Sequence, residues 1–297
     1  MRHRRIYQNP VGTKKYTGLL LISPFIAGFM LFTLIPFVLS FISGLSSGGM
    51  SGGELTLDNY KRIFSGTEAK NAVLVTLKYA AVLVPLKLIF ALLTAVLLNI
   101  ELKGIGVFRT IFYIPSILGA NLSLVIMWQF LFTSDGLVNQ LLQLIGLSPV
   151  SWYGEPGPAM AIIILLRLWE FGSAMVIFLA ALRDIPKTYY DAAKVDGCGA
   201  VRSFFKITLP LMKSVIFINL ILQTIAAFQE FNAPYMITGG NPMKSTYTIG
   251  MLIYDSMFCY GEYNYASALS WLLFASVGVI IFLMYALTGR LKGGNQQ

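Results

Sequence analysis

Histidine and cysteine are almost absent from this 297-residue chain, with one His at position 3 and two Cys at positions 198 and 259. That scarcity excludes a Cys/His zinc site, which needs about four ligands at close spacing. No catalytic motif surrounds any Ser, Cys or Asp pair, so a membrane enzyme has no acid, base or nucleophile with a positioned partner. The G-x-x-x-x-G-K-[ST] phosphate loop is also missing. Charge is scarce too, at 12% of residues, where a soluble domain carries about 25%. What fills the chain is apolar, with 56% hydrophobic residues and a mean hydropathy of +0.71, which points to lipid rather than water as the main solvent. The net charge of +9 could suggest nucleic acid. Its cations, however, sit in the segments between apolar runs, which argues against that partner. The Met residues are scattered and read as packing.

A helix needs about 20 mainly apolar residues to cross the ~30 Å hydrocarbon core. Six segments qualify: 17–42, 71–99, 108–132, 158–182, 212–237 and 265–288. The second and fourth are interrupted by Lys78, Lys87, Arg167 and Glu170. The prolines inside spans (24, 36, 85 and 115) are tolerated where neighbours satisfy the freed carbonyls. The basic start followed by an apolar run imitates a signal peptide. The run from Leu19 to Ile42 is too long for an h-region of about 7–15 residues, so a retained first helix is expected. The fold class expected is an all-α integral membrane protein: a cytoplasmic tail over 1–16, one transmembrane domain over 17–288, and a second tail over 289–297.

Lys and Arg number five before the first span, three in 43–70, one in 100–107, none in 133–157, six in 183–213, one in 238–264 and two in the last tail. The basic residues concentrate in every second connection, which puts both termini and the 183–213 segment in the cytoplasm by the positive-inside rule. Cys198 and Cys259 then lie on opposite sides of the membrane and cannot pair. The Tyr residues at 254, 260, 263 and 265 read as an interfacial belt or a binding-protein contact.

The longest cytoplasmic connection, 184–210, is built as more than a linker. Pro186 opens a helix with Asp184 near its cap, "KTYYDAAKV" continues it, "DG" at 196–197 turns the chain, and "AVRSFFKIT" starts a second helix before Pro210. On the first piece Tyr189, Ala192 and Ala193 share a face. On the second, Phe204, Phe205 and Leu209 are expected to face protein while Arg202 and Lys206 face acids or phosphates. By pattern alone, an amphipathic helix lying on the inner leaflet is a rival.

The residue string resembles the EAA loop of permease subunits in binding-protein-dependent ABC importers, with Asp191, Ala192, Ala193, Gly197, Ile207, Leu209 and Pro210 in the motif positions. "LDNYKRIF" (57–64), "RTIFYIPSI" (109–117), "GLVNQLL" (136–142), "WEFGSAMVIFLAALRDIP" (169–186) and "FQEFNAPYMITGGNP" (228–242) also resemble the carbohydrate branch, of the maltose-transporter type. Two departures are Asp191 where the family has Glu, and "GGNP" where it has "GGP". The resemblance implies a permease that imports a sugar or oligosaccharide and binds no cofactor itself, with ATP and Mg carried by partner ATPases. The partners it implies are a second, homologous permease, two ATPase subunits, an extracytoplasmic solute-binding protein and the lipid bilayer of a bacterial or archaeal plasma membrane. The ATPase-coupling residues it implies are Tyr189, Asp191, Ala192, Ala193, Asp196, Gly197, Arg202, Phe205, Lys206, Leu209 and Pro210. For the sugar pathway, polar and aromatic residues of the fourth and fifth spans are the candidates: Trp169, Glu170, Phe171, Ser173, Gln223, Phe228, Gln229, Glu230 and Asn232. Lipid or helix packing competes for each aromatic, and a buried ion pair with Arg167, Lys78 or Lys87 competes for the two acids. Trp128 and Gln129 are lesser candidates. An ion-coupled secondary transporter is the competing class, with Glu170 and Glu230 as proton carriers. It lacks the internal repeat such folds carry.

Overall fold

The computed structural model describes residues 17–48, 53–100, 102–119 and 122–293. The 1–16 tail lies outside the described residues. Among those described there is no strand, and one bridge pair, Ser46 with Leu55, is the only β-type contact.

Four helices are long and apolar enough to cross a membrane, Gly18–Gly44, Thr67–Leu98, Lys213–Ile237 and Tyr263–Ala286, the third of them interrupted between Phe228 and Asn232. Two bent helix pairs, Ile105–Leu118 with Leu122–Leu131 and Pro156–Trp169 with Gly172–Arg183, bring the spans to six, numbered in chain order, when each pair is counted as one. The six apolar segments expected from the sequence therefore all carry helix. The second begins four residues earlier than expected, at Thr67. Its 32 residues extend about 48 Å, longer than the hydrocarbon core, so its start projects beyond the apolar layer.

Thr67–Leu98 is the hub. Its small residues Ala72, Ala80, Ala91 and Ala95 are buried and let neighbouring helices approach closely. Gly172–Arg183 packs along it most extensively, followed by Lys213–Phe228 and Pro156–Trp169. Tyr79, Ile162, Ile163, Leu166, Met175 and Phe178 are the fully buried centre of that contact. At Gly172 the approach is close enough to demand glycine, because a Cβ there would sit 2.5 Å from the Phe112 carbonyl oxygen. The first span differs from the rest. It leans on the last span only near its end, where Phe37 and Phe41 pack on Trp271 at 4.5 and 4.8 Å between ring centroids and the Trp271 indole donates to Ser40 Oγ at 3.1 Å.

Candidate functional site

Of the broken spans, the fourth and the fifth each carry a glutamate at the break. Glu170 sits between Pro156–Trp169 and Gly172–Arg183, which meet at a 41° bend. Glu230 lies between Lys213–Phe228 and Asn232–Ile237. A break at membrane depth frees backbone groups that lipid cannot satisfy. The structure supplies side chains for them. Ser116 Oγ donates to the Glu170 carbonyl at 3.1 Å and accepts from the Ser173 amide at 3.1 Å. Thr248 Oγ1 donates to the Glu230 carbonyl at 3.0 Å, and the Ala233 amide donates to Glu230 Oε1 at 3.1 Å.

Arg167 joins the two breaks. Its Nη1 lies 2.9 Å from each carboxylate oxygen of Glu170. Its Nη2 donates to Glu230 Oε1 at 2.9 Å, and its Nε stands 2.7 Å from Oε2 of the same group. Nη1 also reaches the Gly119 carbonyl at 3.3 Å, on the third span. The three side chains are only 14%, 11% and 10% exposed. The planar guanidinium fork suits such two-point contacts in a way a lysine ammonium does not. The rival that the sequence left open for the two acids is thus the arrangement found: both are ion-paired, and the partner is Arg167. Lys78 is exposed and takes no part.

Beside the ion pairs is a cavity of about 150 Å³, lined by Tyr79, Leu83, Lys87, Gln223 and the three paired residues. That is room for about five waters at ~30 Å³ each. The Tyr79 side chain is 1% exposed, and its hydroxyl meets no partner in hydrogen-bonding geometry among the described residues. Lys87 forms no ion pair among them either. Two cations and two carboxylates therefore share one small space, with no net charge.

Of the nine pathway candidates, Glu170, Gln223 and Glu230 come together here. Trp169, Phe171, Ser173, Phe228, Gln229 and Asn232 do not line the cavity. Trp169 stacks on Trp128 at 5.8 Å, Phe171 packs against Phe112 at 6.0 Å, and Phe228 belongs to the apolar core. Ser173, Gln229 and Asn232 are exposed. Gln129 is spent on the end of the Asn232–Ile237 helix, donating to the Met236 carbonyl at 2.5 Å. Sequence reasoning missed Tyr79 and Ser116. Tyr79 had a usable signal, because positions 79, 83 and 87 are two successive steps of four and share a helix face.

The 184–210 connection folds as a helix–turn–helix. Pro186 is extended and caps Lys187–Val195, one residue later than the start expected from the sequence. Gly197 has φ +71°, a region that costs any residue with a Cβ. Its amide donates to the Lys194 carbonyl at 3.0 Å, and the Cys198 amide donates to the Ala193 carbonyl at 2.8 Å. This bond pair is the Schellman ending of a helix, and it sets the angle between the two arms. The second arm runs through Ala200–Ser203, Phe204–Thr208 and Leu209–Leu211, so it continues past Pro210, which still precedes the next span at Lys213. Tyr190 and Thr208 tie the arms together, hydroxyl to hydroxyl, at 2.9 Å.

The exposed surface of this element carries Tyr189, Ala192, Val195, Val201 and Phe205 beside Asp191, Asp196, Arg202 and Lys206. Ala193 does not share the exposed face with Tyr189 and Ala192, because it is 8% exposed and packs inward. Phe204 likewise turns toward its own chain, lining a cleft with Tyr190, Leu182 and Val96, while Phe205 faces out. Leu209 is half-buried and Pro210 exposed. Cys198 and Cys259 are both free.

Comparison with known proteins fits this architecture. Residues 72–293 match the family described as the binding-protein-dependent transport system inner membrane component. A probable ABC transporter permease protein, YesP of Bacillus subtilis, is 41% identical over 274 residues, covering 90% of this chain and 89% of that one. The trehalose/maltose transport system permease protein MalF of Thermococcus litoralis is 34% identical, covering 93% of this chain and 94% of that one. A chain of the crystal structure of a bacterial alginate ABC transporter superposes with a TM-score of 0.78 over 93% of this chain and 95% of its own, at 22% identity, which speaks for the fold. By its four to six apolar spans and by this match, the chain is a multi-pass membrane protein that belongs to the family of inner membrane components of binding-protein-dependent transport systems.

Proposed function

We propose that this chain is one permease subunit of an ATP-driven importer that carries a sugar or oligosaccharide into the cytoplasm. The observation that carries the reading is the bent helix pair around Gly197, rigidly capped and tied at Tyr190 and Thr208, with an exposed face of mixed apolar and charged residues. A lever of that kind suits docking on a partner ATPase. In this reading the segment lies in the cytoplasm with both termini, as the distribution of Lys and Arg supports. A second, homologous permease completes the pathway, two ATPases bind ATP and Mg, and an extracytoplasmic binding protein delivers the solute. The chain itself catalyses no reaction and holds no cofactor. Relatives named for trehalose/maltose and lactose support a carbohydrate cargo.

The solute passes beside Glu170, Gln223 and Glu230, where Tyr79, Lys87 and Gln223 offer hydrogen-bond donors to hydroxyl oxygens. The secondary-transporter alternative needs Glu170 or Glu230 free to carry protons, and Arg167 occupies both. The test is uptake of labelled trehalose, maltose and lactose by proteoliposomes holding the complete set of subunits. Uptake that requires internal ATP and stops when the ATPases are omitted supports the proposal. Uptake that persists without them and collapses with a protonophore overturns it.

A further inference from the structure

The Arg167 cluster joins four spans at one point. Arg167 and Glu170 come from the fourth, Glu230 from the fifth, Gly119 from the third and Lys87 from the second. Both acids stand at helix breaks, where a change in the bend moves the side chain most. A single guanidinium holds them together and so fixes how the two breaks sit against each other. Separating the breaks strands one carboxylate in the membrane interior, which is costly. The cost falls if a second cation is waiting, and Lys87 lines the same cavity with no ion pair of its own. Its flexible four-carbon stem lets the ammonium follow a moving carboxylate. Passing one acid from Arg167 to Lys87 leaves one cation on each carboxylate, and the cluster stays neutral in both arrangements.

We propose that Arg167 is the latch of the closed permease and that Lys87 is the partner that receives a carboxylate when the latch opens. The exchange makes two arrangements of the fourth and fifth spans close in energy, as a gate driven by a nucleotide cycle needs. Arg167 and Lys87 are positioning residues here, because they act through the two helix breaks. The proposal rests on the permease reading above.

The test uses the assembled transporter in lipid nanodiscs, with both faces open to reagent. The reporter is Gln223→Cys, made in a chain carrying Cys198→Ser and Cys259→Ser, and its labelling by a polar maleimide is followed on this subunit's band. In this parent, labelling is slow without nucleotide and rises at least tenfold after trapping with MgATP and vanadate. Arg167→Met raises the resting rate toward the trapped one. Lys87→Met keeps the slow resting rate and loses most of the rise on trapping, while Lys87→Arg restores it. If Arg167→Met fails to assemble, Glu230→Gln removes one arm of the grip at constant shape and raises the resting rate less. Lys87→Met that responds to trapping like the parent overturns the exchange. Resting rates unchanged in both Arg167→Met and Glu230→Gln overturn the latch, as does a parent that ignores trapping. A failure of the permease reading is separate, since it appears as ATP-independent uptake by the unsubstituted protein.

Discussion

Two regions about 20 residues apart handle charge in opposite ways. Around Arg167, two carboxylates and a guanidinium are held at 10–14% exposure, and every carboxylate oxygen has a partner. Between residues 188 and 211 Asp191 pairs with Lys194 at 3.6 Å, with side chains that are 68–77% exposed. The first arrangement is held by its surroundings, since a carboxylate that leaves Arg167 is unpaired in a poor solvent unless Lys87 takes it. The second holds that pair loosely in water and leaves apolar groups such as Val195, Val201 and Phe205 uncovered. Substitutions in the first region should therefore be read out in stability and gating, and those in the second in communication with a partner while the fold stands.

The largest effect is expected at Arg167. Arg167→Ala leaves two buried carboxylates facing each other, and breaking a buried pair costs about 3–5 kcal/mol. The melting temperature of the detergent-solubilised complex should fall by several degrees. Adding Glu230→Gln to the same chain should recover much of the loss, because Lys87 then faces the one remaining carboxylate, Glu170, and the cavity carries no net charge. A double variant no better than Arg167→Ala would show that shape, not charge, holds the breaks. Next comes Gly172→Ala, whose new Cβ would meet the Phe112 carbonyl oxygen at 2.5 Å and Ser116 Oγ at 2.8 Å. Overpacking of this kind costs about 1–3 kcal/mol. A melting temperature equal to that of the parent would mean that the third and fourth spans part easily at this point.

The contrast also explains what the sequence made legible. Six apolar runs and an alternation of basic loops are long-range patterns that survive local error, and all six runs are helical. The helix–turn–helix was readable because Pro186 and the Asp196–Gly197 turn punctuate it with residues of fixed conformational meaning. The two breaks were not readable as breaks, because Gln229, Asn232 and Ser173 beside the acids read as the lining of a pathway rather than as helix ends. The i,i+3 step from Arg167 to Glu170 permitted one ion pair. Nothing local linked Arg167 to Glu230, 63 residues away, so the sequence left Glu230 with Arg167, Lys78 and Lys87 as candidate partners and the packing chose among them. Ala193 was misplaced for a related reason. Residues 189, 192 and 193 share a helical face, but the bundle covers one edge of it and leaves the other exposed.

Smaller effects on folding test the exposed region. At Gly197 a Cβ would meet nothing within 4 Å, so the cost of Gly197→Asp is the left-handed backbone alone, about 1–2 kcal/mol. The complex should assemble at near-normal yield while ATP-driven uptake falls at least tenfold, because the angle between the arms changes. Normal uptake by a correctly assembled Gly197→Asp transporter would remove the lever from the account. Tyr190→Phe deletes the hydroxyl contact to Thr208, worth about 1 kcal/mol, and should loosen the same angle without changing the turn. Its uptake should fall severalfold less than that of Gly197→Asp.

The smallest effect on stability is expected at Asp191, and it separates the two regions most sharply. An exposed, lengthened ion pair contributes little to folding, since water and side-chain entropy offset the attraction. Asp191→Ala should therefore melt with the parent. If the carboxylate instead serves a partner, the same substitution should lower the amount of ATPase that co-purifies with a tagged permease, and Asp191→Glu, with one more methylene of reach, should bind at least as much as the parent. A loss of ATPase binding without a change in melting temperature assigns the charge to the interface. Co-purification unaffected by Asp191→Ala would leave the exposed apolar residues, Tyr189, Val201 and Phe205 among them, to carry the docking, and the comparison would then rest on shape rather than charge.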